Sequence, residues 1–370
     1  MRRQQAALER RDTLAADMKS KFPTITIGLD LGDKKHAVCV LNHAGEIVED
    51  RSITNHRESL RRLSQKYPGS RIAMEVGQHS PWTSRFFAAL GHEVIVANPR
   101  KLRAIYTSTR KSDQSDAYMI ARLARVDPTL LSPIQHSTEE AQRDLLQVKL
   151  RDNLVRQRVD IISSIRFTLK SMGVMVASPN TACFVKRCRK NLDGVNPQLL
   201  AMCEPSLRVV DELTQSIREL ERRIEELCVK AYPETEFLQQ IAGVGPITSL
   251  AFVLTIGDPQ RFESMRDVAP YLGLVPKRDQ SGESDKQLGV SKAGDAYLRR
   301  LLVSSAQYIL GPFGPDCDLR RHGLKLAERG GRSAKKKAVV AIARKLSVLM
   351  LTLWYREEIY VPLRNDSLAA

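Results

Sequence analysis

The feature that most constrains this chain is a run near its start, Thr24-Ile25-Thr26-Ile27-Gly28-Leu29-Asp30-Leu31-Gly32. Its β-branched and apolar residues predict a buried strand that delivers Asp30 at its exit and then turns at a glycine. A single Asp at a strand end is usually a turn or capping residue. Here three more carboxylates follow: Glu75 closes a second apolar run, Arg71-Ile72-Ala73-Met74-Glu75, and Asp113 and Asp116 stand three apart at the start of a predicted helix. Residues three apart share one helix face. Four acids in one cleft repel one another, so such a cluster requires divalent cations to neutralise it. Oxygen donors with no His or Cys in the motif select Mg²⁺, with Mn²⁺ as the alternative.

The elements between these acids matter as much as the acids. Ala37 to Leu41 and Glu46 to Val48 predict a hairpin turning at Asn42 to Gly45; helices are predicted at His56 to Gln65 and Pro81 to Leu90, and strands at Arg71 to Val76 and Glu93 to Ala97. Strand-Asp, hairpin, strand-Glu and then Asp-x-x-Asp on a late helix is the order of a ribonuclease-H-like α/β fold, which carries two-metal phosphoryl transfer.

The chain has 370 residues, 42% of them hydrophobic, enough for two or three domains. Its 58 Lys and Arg exceed its 42 Asp and Glu by a net +16, which points to a polyanionic partner, nucleic acid first. Residues 1–23 form a basic extension without the apolar core of a signal peptide. Ala338 to Tyr355 is the most apolar window, but Arg344 and Lys345 interrupt it, so a buried helix is expected and no membrane partner. The six cysteines show no Cys-x-x-Cys pair and no His at ligand spacing, which argues against zinc and disulfides and fits a reducing cytoplasm.

The expected organisation is an α/β catalytic domain at 24–130, a helical, coiled-coil connector at 137–235, a mainly α domain at 236–360 and a tail at 361–370. Val210, Leu213, Ile217, Leu220, Ile224 and Leu227 alternate steps of three and four, a heptad seam that can pair within the chain or between copies. Gly173 to Pro205, broken by prolines and glycines, reads as an irregular connector. Leu238 to Leu250, with Gly243-Val244-Gly245, has the pattern of a helix-hairpin-helix, whose glycines let main-chain N–H groups approach a phosphate. Beyond it, Tyr271 to Asp295 reads as a Gly/Ser/Lys-rich loop before a helix bearing Arg299 and Arg300. A hydroxyl among cations suits a nucleophile aimed at phosphorus, although a Ser-Gly pair is far more often a turn. Besides the two glycines, Arg110, Lys111, Lys277, Arg278, Lys292, Arg299 and Arg300 are the candidate nucleic-acid contacts.

These motifs, with Glu75-Val76-Gly77, His79-Ser80-Pro81-Trp82, Val96-Ala97-Asn98-Pro99-Arg100-Lys101, Lys111-Ser112-Asp113-Gln114-Ser115-Asp116-Ala117, Gly243-Val244-Gly245-Pro246, Tyr271-Leu272-Gly273-Leu274-Val275-Pro276, Ser281-Gly282 and Ser291-Lys292-Ala293-Gly294-Asp295, occur in the order of a known family. From about residue 24 to 360 the chain resembles the DEDD transposases of the bacterial insertion sequence 110 family, with which the Piv DNA invertases are grouped. The resemblance implies a RuvC-like domain with the quartet Asp30, Glu75, Asp113 and Asp116, and a C-terminal transposase domain with Ser281 as nucleophile; Ser284 and Ser291 are the alternatives. It further implies action on element ends and target DNA, an element-encoded noncoding guide RNA, a homo-oligomer (dimer or tetramer) and a bacterial, nucleoid-associated cytoplasmic location. The competing expectations are a structure-selective metal nuclease and a non-catalytic nucleic-acid-binding protein.

Overall fold

The computed structural model describes residues 23–99, 112–177, 180–194, 196–281, 284–331 and 333–367, and the chain divides into two compact units between Glu139 and Glu140. In the first unit β1 (Ile25–Leu31), β2 (Lys35–Asn42), β3 (Ile47–Thr54), β4 (Arg71–Glu75) and β5 (Glu93–Ala97) form one sheet in the order β3-β2-β1-β4-β5. β1 runs antiparallel to β2 and parallel to β4, and β4 runs parallel to β5. The β2–β3 turn is set by Asn42, whose Oδ1 accepts the N–H groups of Ala44 and Glu46, each at 3.0 Å. β3 continues to Thr54, well past Val48, through the largely exposed polar run Glu49-Asp50-Arg51-Ser52 of an edge strand.

The period of two sorts the sheet residues onto two faces. Ile27, Leu29, Val38, Val40, Ile72 and Met74 pack with Leu60 and Leu63 of α1 (Arg57–Lys66) and Phe87 of α2 (Ser80–Ala89). The opposite face is lined by smaller groups. Ala37 and Cys39 meet Ala117 and Ala121 of α3 (Asp113–Val126), while Ala73 and Ala97 meet Ile120 and Ala124. At the crossing point the residue must be glycine: a Cβ on Gly28 would collide with the Ala117 carbonyl oxygen and lie 2.7 Å from the Ala121 nitrogen. The helix main chain therefore rests directly on the central strand. A mixed sheet with helices on both faces is compatible with a ribonuclease-H-like domain.

The second unit is mostly helical: α4 (Glu139–Ser171), α5 (Phe184–Leu192), α6 (Pro197–Lys230), α7 (Thr235–Gln239), α8 (Pro246–Ile256), α9 (Val268–Tyr271), α10 (Ala296–Leu310), α11 (Asp318–Ala327), α12 (Ala334–Arg356) and α13 (Arg364–Ser367). The stretch expected to be an irregular connector instead holds α5 and the first turns of α6, which passes through Pro205. A proline inside a helix costs roughly 3 kcal/mol. Burial of Leu199, Cys203, Leu207 and Val210 against Ile165, Leu169, Phe184 and Leu192 offsets it, at about 1.5–3 kcal/mol for each large side chain removed from water. Of the seam on α6, Val210, Ile217 and Ile224 are buried within the chain. Arg151 of α4 donates to Glu221 through Nε at 3.0 Å, and Arg158 donates to the Thr214 hydroxyl at 3.3 Å. As the residue number rises on α4 it falls on α6, so the seam is used in an antiparallel pairing within one chain.

α12 alone among the described residues is long and apolar enough to cross a membrane. Ala338, Ile342, Leu346 and Met350 are buried along it and it packs on α10 and α11, which makes it a core helix of this unit. Residues 276–290, expected as a loop, form an antiparallel hairpin of β6 (Pro276–Ser281) and β7 (Ser284–Val290). The strands are polar nearly throughout and carry no apolar alternation that would announce them.

Candidate functional site

α3 runs antiparallel to β1 and β4. Near its C-terminal end the Ala124 carbonyl accepts from Arg71 Nη1 at the start of β4 (2.9 Å), and Arg125 Nη1 donates to the His43 carbonyl just beyond β2 (3.1 Å). Its N-terminus is thus at the strand exits, capped by Ser112, whose hydroxyl accepts the Ser115 N–H at 3.2 Å. Asp113 and Asp116 occupy the first turn, where the helix dipole favours negative charge. Asp30 lies two residues beyond Gly28 and Glu75 two beyond Ala73, so both point to the α3 face. The β1–β4 register, Leu29 opposite Met74, makes them neighbours one step further on.

All four acids accordingly stand at one end of the sheet. Their donor set, carboxylate oxygen throughout, fits a hard divalent cation. Among the described residues, however, no three His, Cys, Asp or Glu side chains approach closely enough to hold a metal. Arg110 and Lys111 lie outside the described residues, as does most of the basic extension.

On the opposite face at this same end, the His36 side chain is fully buried and sits edge-on to His79 with centroids 6.5 Å apart. His79 Nε2 is 3.1 Å from Asp33 Oδ1. Burial pushes the His36 pKa below the usual histidine value; the Asn55 side chain acts against this, and His79 adds to the lowering. His92, buried between the hydroxyls of Ser64 (2.7 Å) and Ser70 (3.1 Å), is lowered by burial as well. The unfolded chain takes up these protons first as pH falls, so folding loses stability below the ordinary histidine pKa of about 6.5 until the depressed native values are passed, at up to about 1.4 kcal/mol per pH unit for each histidine. Urea unfolding of a Trp354→Phe chain, followed through Trp82, should show the first unit weaker at pH 5.5 than at 7.5. His36→Phe should flatten that dependence. Stability that is level or rises on acidification would refute the assignment.

In the second unit Ser281 ends β6 and pairs with Ser284 across the hairpin, whereas Ser291 lies at its root with a buried, unbonded hydroxyl. Here the sequence motifs knot together. Ser291 N–H donates to the Val275 carbonyl (2.8 Å) and Lys292 N–H to the Gly273 carbonyl (3.2 Å), while Arg299 Nη1 holds the carbonyls of Leu272 (3.0 Å) and Ala293 (2.7 Å). Gly273 and Gly294, at φ +70° and +75°, lie so close to the facing main chain that a Cβ on either would collide with it. Lys292 shares the left-handed conformation at φ +53° without being glycine.

Arg299 is thus spent on the knot, and Arg300 donates to Asp152 at 2.7 Å. Lys277 and Lys292 are exposed beside the knot, and the Arg278 side chain lies outside the described residues. Gly243, at φ +87°, packs on Ser305 and Tyr308, and Gly245 precedes α8, whose first residue is Pro246. A short helix, a turn and a second helix are present there. Lys336, Lys337, Arg344 and Lys345 of α12 were not among the candidate contacts; in the sequence Arg344 and Lys345 showed only as interruptions of an apolar run that Lys336 and Lys337 precede.

Two family models match in chain order: a model for DEDD transposases of the IS110 type over residues 27–173, and one described as transposase, IS116/IS110/IS902 family, over residues 235–316. The chain is 26% identical over 343 residues to the transposase for insertion sequence element IS1111A of Coxiella burnetii, covering 90% of each chain. It is 29% identical over 292 residues to the IS1328 transposase of Yersinia enterocolitica, covering 77% of this chain and 84% of that one. To the pilin gene-inverting protein of Moraxella lacunata it is 23% identical over 337 residues, 86% of this chain and 92% of the relative. Fold, acid order and matches together define a DNA transposase/recombinase. The chain belongs to the IS110 family. The family implies DNA as partner and dependence on a divalent metal.

Proposed function

We propose that this protein cuts and rejoins DNA through a composite centre, with Asp30, Glu75, Asp113 and Asp116 of a RuvC-like domain holding Mg²⁺ and Ser281 acting as nucleophile. The observation that carries this is the placement of all four carboxylates at one end of the sheet, two at adjacent strand exits and two in the first turn of α3. Bound there, Mg²⁺ would supply charge neutralisation at the phosphate and a lowered pKa for the attacking hydroxyl.

The Ser281 hydroxyl gives up its proton and attacks phosphorus. A serine–phosphate bond forms as the bond to the leaving oxygen breaks, and that oxygen takes a proton. Strand joining reverses these steps with a new hydroxyl, so the phosphodiester energy is kept. Lys277 and Lys292, exposed at the root of the hairpin whose first strand Ser281 ends, offer positive charge to backbone phosphates further along the bound strand.

A noncoding RNA of the element guides the enzyme by pairing with donor and target DNA, a reading supported by the family resemblance and permitted by the +16 charge. The working form is a cytoplasmic homo-oligomer, in which carboxylates and serine can come from different copies. Leu146, Leu150 and Phe167, exposed on one side of α4, support a contact between copies. Purifying the full chain co-expressed with the noncoding flanks of its gene, then sequencing the bound RNA, tests the guide: one discrete flank transcript, enriched at least about tenfold over bulk RNA, is expected. Bulk cellular RNA alone would exclude it.

A further inference from the structure

A concave groove of about 1140 Å³ opens in the second unit between α12, the root of the β6–β7 hairpin and the segment around Tyr360 to Asn365. Its floor is apolar, with Leu274, Leu288, Val348 and Leu349 among the lining residues. Its rim is cationic. Lys337, Arg344 and Lys345 recur along one stripe of α12, with Lys336 beside them and Arg266 also lining the cavity, and all five are exposed. Among the described residues none of these five has an acidic partner. Arg364 is 3.7 Å from Glu358, and Asp318, the carboxylate in the lining, accepts the Asn365 N–H at 3.1 Å.

We propose that this groove holds a single-stranded stretch of nucleic acid, with bases against the apolar floor and phosphates on the cations of α12. A duplex keeps its base faces stacked and offers only phosphates and groove edges, which would leave the floor unused. Unstacked bases supply flat apolar faces, and a backbone beside them supplies the anions, the combination that non-specific single-strand binders recognise. The hairpin root forms part of the lining and Ser281 ends the same hairpin's first strand, so a strand seated here is delivered along the hairpin toward its tip. His322, also in the lining, is kept toward its neutral form by burial and by Lys345, Arg329 and Lys325, so its ring adds a flat surface without a further charge.

The inference rests on the proposed function only in taking nucleic acid as the ligand, and its test needs no cleavage. Fluorescence anisotropy of the full chain would be measured with a short oligo-dT, the matching oligo-U and a duplex of equal length. Arg344→Glu with Lys345→Glu should weaken single-strand binding at least about tenfold and reduce its log–log salt slope by about 1.4, at ~0.7 per phosphate contact. Ala341→Trp fills the groove while every cation is kept. It should cost single-strand affinity about tenfold, within the range of one lost base stack, and change duplex affinity less than about threefold. The oligo-dT and oligo-U arms tell whether DNA or RNA is the strand held.

Thermal melts identical to the parent establish that both variants fold. Unchanged single-strand binding in folded Ala341→Trp, or equal losses for single strand and duplex, overturns the proposal. So does binding to anionic lipid vesicles that both variants lose while oligonucleotide binding persists. Failure of Asp30 variants to lose cleavage would sink the catalytic reading and leave these affinities untouched.

Discussion

Asp30→Asn, assayed as full chain with Mg²⁺ and its DNA, is expected to lose strand cleavage by at least about 10³-fold, equivalent to roughly 4 kcal/mol of barrier. Asp30 is the penultimate residue of the central strand, directly beside the exit of β4 that bears Glu75 and on the face covered by α3. Asparagine keeps the shape but removes the charge that a divalent cation needs. Nucleic-acid affinity should not fall, because deleting a negative charge cannot weaken attraction to phosphate. Asp113→Asn should behave alike. A gel cleavage assay beside an anisotropy titration reads both quantities, and a thermal melt checks folding. Parental cleavage by either variant would remove the quartet from the mechanism.

Ser281→Ala separates recombination from hydrolysis. A nuclease activates water and leaves free ends, whereas a recombinase without an external energy source must store each broken phosphodiester, and a phosphoserine does so nearly isoenergetically. The parent should therefore form a protein–DNA adduct that survives denaturing electrophoresis. Ser281→Ala should reduce it below detection, by at least about 10²-fold, with DNA binding intact. Ser284→Ala, across the hairpin, and Ser291→Ala, whose hydroxyl is buried at the root, should both retain it. An adduct in Ser281→Ala would assign the nucleophile elsewhere. A parent that cuts with Mg²⁺ yet forms no adduct is acting as a nuclease.

Much of the first unit was legible because its signals are local. Alternation and β-branching mark β1, β4 and β5, the Asn42 turn marks the first hairpin, and three-residue spacing puts Asp113 and Asp116 on one face. The continuation of edge strand β3 beyond Val48 and the β6–β7 hairpin were not, since polar strands owe their pairing to what anchors them. For the second hairpin that anchor is Arg299 and the close approach of Gly273 to Ala293. Pro205 misled for a similar reason: a breaker is a local signal, and the burial of Leu199, Cys203 and Leu207 around it is tertiary. The heptad seam showed an apolar stripe but not its occupant, which the antiparallel ties of Arg151 and Arg158 place within the chain. The cations of α12 looked like interruptions of a core helix and gained meaning only once the hairpin stood opposite them.

The contact of α3 with Gly28 acts as a pivot. Asp30 lies two residues past it along the strand, and Asp116 and Asp113 lie within about one turn of it along the helix, ~6 Å at 1.5 Å per residue. A wedge the thickness of one methyl group, tilting the helix by only about 10°, would swing Asp113 by roughly 1 Å over that arm. Displacements of that size cost catalytic centres about a hundredfold. In the proposed centre, alignment between strand acids and helix acids is thus a property of main chain seated on main chain, and the tolerance of the chemistry is set where no side chain exists.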